Sequence, residues 1–129
     1  MINFTIKFQY GSPIYEQIVY AVKKAIATGQ LKAGDKFPSV REMSKELRIN
    51  PNTAGKVVGH LVREGMLEVR PGIGSVVSQL SPASKDQRNK ILNDQVEELI
   101  VESKRLSISK EDVINAIDSN WSLKERKGK

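Results

Sequence analysis

The sequence predicts a mainly α fold with one small β-hairpin, an α+β class, and three observations predict it. Apolar residues recur every three or four positions in several stretches. Two of these stretches are separated by a break of about three residues. A glycine-bearing loop then divides two short runs of strand-forming residues.

Taken in chain order, Ile2, Phe4, Ile6 and Phe8 alternate with Asn3, Thr5 and Lys7. A period of two predicts a short strand with one buried face, open to pairing with a partner chain. After Gly11 the period changes: Ile14, Ile18, Val22 and Ile26 recur every four residues, with Ala21 and Ala25 beside them, as an amphipathic helix requires. Ser12 is the expected N-cap, Pro13 the first turn and Gly29 the stop. Leu31 to Pro38 reads as a loop punctuated by Gly and Pro. Ser39 and Glu42 then have the spacing of a capping box, so a second helix starts near Val40 with Met43, Ser44 and Leu47 on its inner face.

That helix must end before Pro51. Asn50 is placed to cap a third helix with Pro51 in its first turn, and Ala54, Val57, Val58, Leu61 and Val62 form its inward stripe before Gly65 stops it. A helix-turn-helix results. Met66 to Arg70 and Ser75 to Leu80 read as two strands around Pro71-Gly72-Ile73-Gly74. Three helices followed by such a hairpin is the order of a winged helix-turn-helix, here spanning residues 1–80.

Around Ser81-Pro82-Ala83-Ser84 the periodicity lapses, marking a boundary, and residues 81–129 form a helical region. Leu92, Val96, Leu99, Ser103 and Leu106 follow one another at spacings of four, three, four and three, with Ile100 adjacent, giving one narrow apolar seam. Ser109 and Asp112 suit the start of a last helix carrying Val113, Ile114, Ile117 and Trp121. From Leu123 the charged tail is expected to be disordered. A segment with one apolar stripe and no second layer cannot bury that stripe alone, so residues 84–119 are expected to dimerise, with Leu92, Val96, Leu99, Ile100, Leu106 and Trp121 in the interface.

Composition narrows the function classes. The 129 residues carry 21 Lys and Arg against 15 Asp and Glu, a formal charge of +6. Up to residue 80 there are 11 basic and 6 acidic residues, and 10 and 9 thereafter, so the excess sits on the first region. A polyanionic partner is the first expectation. With no cysteine and the single histidine His60, cysteine chemistry and zinc-type ligand sets are unsupported, and the expectation is no metal, no cofactor and no enzymatic activity. The apolar runs are too short to span a bilayer, and Met1-Ile2-Asn3-Phe4 does not open a signal peptide, which predicts a cytoplasmic protein without membrane contact.

Five segments carry a resemblance: Pro13-Ile14-Tyr15-Glu16-Gln17-Ile18, Gly34-Asp35-Lys36-Phe37-Pro38-Ser39-Val40-Arg41-Glu42, Asn50-Pro51-Asn52-Thr53, Arg63-Glu64-Gly65-Met66-Leu67-Glu68 and Gly72-Ile73-Gly74-Ser75. In this order and spacing, over residues 10 to 78, the chain resembles a GntR-family transcriptional regulator. Its short tail is similar to that of the YtrA-like subfamily, which has two short helices where other members have a large effector domain. The resemblance implies a homodimeric regulator, a repressor, on a pseudo-palindromic double-stranded DNA operator. It also implies response to a small molecule or to cell-envelope stress; an effector would bind at the dimer interface or between tail and winged helix.

Carried over by motif position, Arg41 would contact bases in the major groove. Ser39, Asn52, Thr53 and Lys56 would contact phosphate or base edges, and Gly72 would place the wing at the minor groove. The chemistry is consistent, since Arg can bridge guanine O6 and N7 and short polar groups at a helix N-terminus meet phosphate closely. Arg48 stands where the family commonly has glycine, so a left-handed residue is expected there. Pro71 and Ile73 replace wing positions that are usually basic, leaving Arg70 as the local charge that would contact DNA from the wing. Gly55 and Gly59 lie within the third helix, read either as close approach of DNA or as drift at a solvated face. His60, Tyr15 and Tyr20 read as ordinary boundary and helix residues.

A second reading is a winged-helix protein-interaction module whose basic face meets an acidic protein. Salt dependence separates the two, because counterion release makes duplex binding fall steeply with salt.

Overall fold

The computed structural model describes residues 2–79 and 81–122. The chain divides between residues 80 and 81 into two compact units. The first contains α1 (Ile14–Ala27), α2 (Val40–Leu47), α3 (Pro51–Arg63), β1 (Leu67–Arg70) and β2 (Gly74–Val77). The second contains α4 (Lys85–Asn89), a π-helical stretch (Lys90–Gln95), α5 (Val96–Arg105) and α6 (Lys110–Trp121). No helix among the described residues is long and apolar enough to cross a membrane.

In the first unit the helical stripes meet as their spacing requires. Ile18, Val22 and Ala25 of α1, Met43 of α2 and Ala54, Val57 and Leu61 of α3 form one buried cluster with Leu31, Phe37, Leu67 and Val77. The capping box of α2 is complete, with the Glu42 N–H donating to Ser39 Oγ at 3.0 Å and the Ser39 N–H donating to Glu42 Oε1 at 2.9 Å. The Ser39 N–H holds the Glu42 carboxyl below its ordinary pKa. The bond from the Ser39 N–H to the carboxylate is therefore at full strength at neutral pH and weakens as pH falls through that lowered value, while the Glu42 N–H bond to Ser39 Oγ does not titrate. Asn50 caps α3, accepting from the Asn52 N–H at 2.7 Å, and Pro51 opens the helix.

Between α2 and α3, Arg48 is left-handed at φ 55° and ψ 50°, as the family resemblance implies. Its N–H donates to the Ser44 carbonyl, and the Ile49 N–H donates to the same oxygen at 3.0 Å, which closes the helix end. An L side chain in this conformation costs about 1 kcal/mol relative to glycine. Arg48→Gly is therefore expected to raise the unfolding free energy by about that amount, read as a higher denaturant midpoint at unchanged slope.

The two strands pair antiparallel, Leu67 opposite Val77 and Arg70 opposite Gly74, around a turn in which Gly72 has φ +79°. β2 stops at Val77, short of the expected Leu80, which lies outside the described residues. The stretch read as a loop before α2 also joins the hairpin. The Gly34 N–H donates to the Val77 carbonyl at 2.8 Å, the Val77 N–H to the Asp35 carbonyl at 2.8 Å, and the Phe37 N–H to the Ser75 carbonyl at 2.9 Å. Lys36 and Val76 form an isolated bridge, so residues 34–37 serve as a third, irregular edge.

Two expectations at the start of the chain are corrected. Residues 2–8 form no strand. The alternation sets the burial of only part of the run, with Phe4 buried, Ile2 and Ile6 half-buried and Phe8 exposed, and side chains replace the ladder. Phe4 stacks on Phe37 at 5.7 Å between centroids, Asn3 Nδ2 donates to the Lys36 carbonyl, and Gln30 Nε2 donates to Thr5 Oγ1. Ser12 does not cap α1: the cap position is Pro13, without a side-chain bond. Gln17 organises this entry instead, donating from Nε2 to the carbonyls of Gln9 and Ser12 and accepting the Gln9 N–H.

In the second unit the long helix with a single seam is interrupted. Ser84 and Gln87 form a capping box that opens α4, and the π-helical stretch then adds a wider turn before α5. Ser107, left-handed at φ 59°, turns the chain from α5 into α6. Ser109 accepts the Asp112 N–H at 3.0 Å. Of the described residues 81–122, Ser103 alone is buried and Val113 alone is half-buried. The tail expected to be disordered from Leu123 lies outside the described residues.

Candidate nucleic-acid interface

The predicted contact residues sit on three elements of the first unit. Ser39 caps α2 and Arg41 is the second residue of that helix. Arg41 is exposed, and its guanidinium has no ion-pair or hydrogen-bond partner among the described residues. Asn52, Thr53 and Lys56 occupy the first two turns of α3, whose opposite face carries the buried Ala54, Val57 and Leu61. The N-terminal N–H groups of α3 and its aligned peptide dipoles add positive potential beside Asn52 and Thr53. Ser39 Oγ already accepts the Glu42 N–H, which leaves its own O–H for an outside acceptor.

The wing is electrostatically weaker than its arginine suggests. Arg70 Nε and Nη2 both donate to Glu68 Oε2, at 2.9 and 2.7 Å, so the charge left there by the replacement of neighbouring basic positions is tied up two residues away. Val69 and Ile73 are exposed at this end of the hairpin. Gly72 takes its left-handed conformation at the turn between the strands.

On α3 itself, a Cβ built on Gly55 meets nothing within 4 Å, and one built on Gly59 meets only the end of the Arg63 side chain, at 3.3 Å. Nothing among the described residues requires glycine at 55, while glycine in a helix interior costs on the order of 1 kcal/mol relative to alanine. Gly55→Ala is expected to raise stability by about 0.5–1 kcal/mol in chemical denaturation. If duplex DNA approaches this backbone closely, the same variant loses duplex affinity as it gains stability; drift at a solvated face predicts the gain alone.

One arrangement was not legible in the sequence. The Tyr15 hydroxyl of α1 is hydrogen-bonded to His60 Nδ1 of α3 at 2.8 Å, the two rings meet edge to face, and Lys56 Nζ lies 5.3 Å from the Tyr15 ring centroid. Lys56 and His60 are four apart and so share a helix face, which is the signal available in advance. That Tyr15 is what they face depends on tertiary packing.

The predicted interface residues of the second unit are all solvent-exposed within one chain. Leu92 lies in the π-helical stretch, Val96, Leu99 and Ile100 in α5, Leu106 just beyond it and Trp121 at the end of α6, with exposures between 40% and 81%. Ile108, Ile114 and Ile117 are exposed as well. An apolar concavity of about 360 Å³ lies between α5 and α6, lined by residues that include Leu99, Ile108, Val113, Ala116 and Ile117.

Comparison with known proteins adds independent observations. The family described as "Bacterial regulatory proteins, gntR family" matches residues 14–77. The HTH-type transcriptional regulator YhcF of Bacillus subtilis (strain 168) is 31% identical over 111 residues, covering 86% of this chain and 92% of that protein. The HTH-type transcriptional repressor YtrA of the same organism is 35% identical over 94 residues, covering 72% of each chain. Among solved structures, a transcriptional antiterminator from Listeria monocytogenes EGD-e superposes with a TM-score of 0.78 at 29% identity, covering 90% of this chain and 87% of that one.

Proposed function

Because the chain belongs to the GntR family of bacterial regulatory proteins and is of the YtrA-like type, a DNA-binding transcriptional regulator, we propose that it is a sequence-specific repressor binding a pseudo-palindromic operator as a homodimer. The observation that carries the reading is the pairing of the unengaged Arg41 guanidinium on α2 with the polar, capped start of α3, the two helices being joined by the tight turn at Arg48. In this reading Arg41 reads a guanine in the major groove, and Ser39, Asn52, Thr53 and Lys56 fix the register on the backbone. The hairpin, with Gly72 at its turn, lies at the adjacent minor groove; Arg70, held by Glu68, adds little attraction there.

Homodimerisation is proposed through the second unit. Its exposed seam and the concavity between α5 and α6 are what a second copy would cover, and a twofold dimer presents two copies of α3 to half-sites about 10 base pairs apart. A small-molecule effector, which the family resemblance implies, would act by changing the population of that dimer geometry.

The test is selection from a random duplex pool with the full chain, followed by a salt titration on the enriched duplex. The expected outcome is an enriched inverted repeat and an affinity that falls steeply with salt. No enrichment and little salt dependence would instead favour the protein-interaction reading.

A further inference from the structure

We propose that Tyr15 is a positioning residue for DNA binding: anchored on His60, its ring holds the Lys56 ammonium in place on the outer face of α3. The proposal rests on the reading of Lys56 as a DNA contact. Tyr15 is half-buried and packs against the hydrophobic cluster. Its hydroxyl is 2.8 Å from His60 Nδ1, and the Tyr15 and His60 rings cross at 85° with centroids 5.7 Å apart. The hydroxyl and Nδ1 share one hydrogen bond, whose direction follows the imidazole tautomer. The ring is thus fixed at its tip by the hydrogen bond and along its body by packing. The remaining face meets Lys56 Nζ at 5.3 Å, within the range of a cation–π contact.

A lysine ammonium on four flexible carbons loses much rotamer freedom when it binds a phosphate. Lys56 is exposed and has no carboxylate or hydrogen-bond partner among the described residues. The Tyr15 ring is therefore its only restraint there. Because that contact is made before DNA arrives, part of the ordering is already complete when a phosphate binds. A ring contact also leaves the N–H groups on the far side of the ammonium free to donate, which a carboxylate partner would neutralise.

The test is a double-mutant cycle on the full chain, using a mixed-sequence duplex of about three helical turns at low salt, so that no operator need be known. The variants are Lys56→Met, Tyr15→Leu, Tyr15→Phe and the Tyr15→Leu/Lys56→Met pair. Lys56→Met is expected to weaken binding and to reduce the salt slope by about one. Tyr15→Leu, which keeps apolar volume against the core but removes the ring, is expected to weaken binding about two- to fivefold with the salt slope unchanged. Tyr15→Phe, which keeps the ring, retains most of the affinity. In the Lys56→Met background, Tyr15→Leu has no further effect.

A purely architectural Tyr15, bracing α1 against α3, would weaken binding by the same factor with or without Lys56, and that result overturns the proposal. If Lys56→Met alone changes neither affinity nor slope, Lys56 does not touch DNA. The reading of Lys56 as a contact then falls, and the role of Tyr15 falls with it.

Discussion

Replacing Arg41 with alanine is expected to remove most of the discrimination between the selected duplex and a scrambled one while leaving the oligomeric state unchanged. A bidentate arginine–guanine contact is worth about 1–3 kcal/mol of discrimination, roughly a 5- to 150-fold loss for each half-site. Two half-sites in one dimer compound that loss. The physical ground is availability: the Arg41 guanidinium has no partner among the described residues, whereas Arg70 is held by Glu68. The backbone carbonyl of Arg41 accepts from Ser44 Oγ at 3.1 Å, which does not involve the side chain. Alanine is a good helix former, so α2 stays intact. Competition binding with the two duplexes is the measurement. Equal discrimination by the wild type and the variant would remove Arg41 from the interface.

A second large effect is expected in the tail. Val96→Glu with Leu99→Glu places two carboxylates on the exposed seam of α5, where both residues are at least 40% exposed in the isolated chain. The helix keeps its own hydrogen bonds and glutamate is a good helix former, so far-ultraviolet circular dichroism is expected to change little. A second copy, by contrast, could cover the seam only by burying unpaired charge. Sedimentation at micromolar concentration is expected to give a dimer for the wild type and a monomer for the variant. Operator affinity is expected to fall by about 10²–10⁴, because the second half-site is no longer held at high effective concentration. The salt slope should halve with the number of phosphates contacted. A variant that remains dimeric would place the dimer contact elsewhere.

What was legible in the sequence was local. Ser39 and Glu42 are three apart, Asn50 adjoins Pro51, and the glycines of the wing turn lie between two short apolar runs; each feature is decided within a few residues. The left-handed Arg48 was legible only through the family resemblance, which places it where relatives commonly have glycine. The core stripes followed from periodicity alone. Misreadings arose where distant partners decide. The alternation of residues 2–8 does place Phe4 inward, but no strand lies beside it to complete a ladder. Residues 34–37 look like a loop until β2 supplies acceptors and donors for them. The pairing of Tyr15 with His60 spans 45 positions, and no spacing rule reaches that far. The π-helical stretch has no glycine or proline to announce it.

The anchoring of residues 2–8 also has a bearing on synthesis. Asn3 finds its carbonyl partner on Lys36, 33 residues later, and Phe4 finds its stacking partner on the next residue, Phe37. At translation rates of about 5–20 residues per second, this segment waits roughly two to seven seconds for that partner. During the wait, Ile2, Phe4, Ile6 and Phe8 form an apolar, β-prone run relieved by one charge, Lys7. Nascent chains on one messenger can therefore meet through this run before the core closes over it. Slower elongation across residues 9–37 is expected to lengthen that exposure and lower the soluble yield.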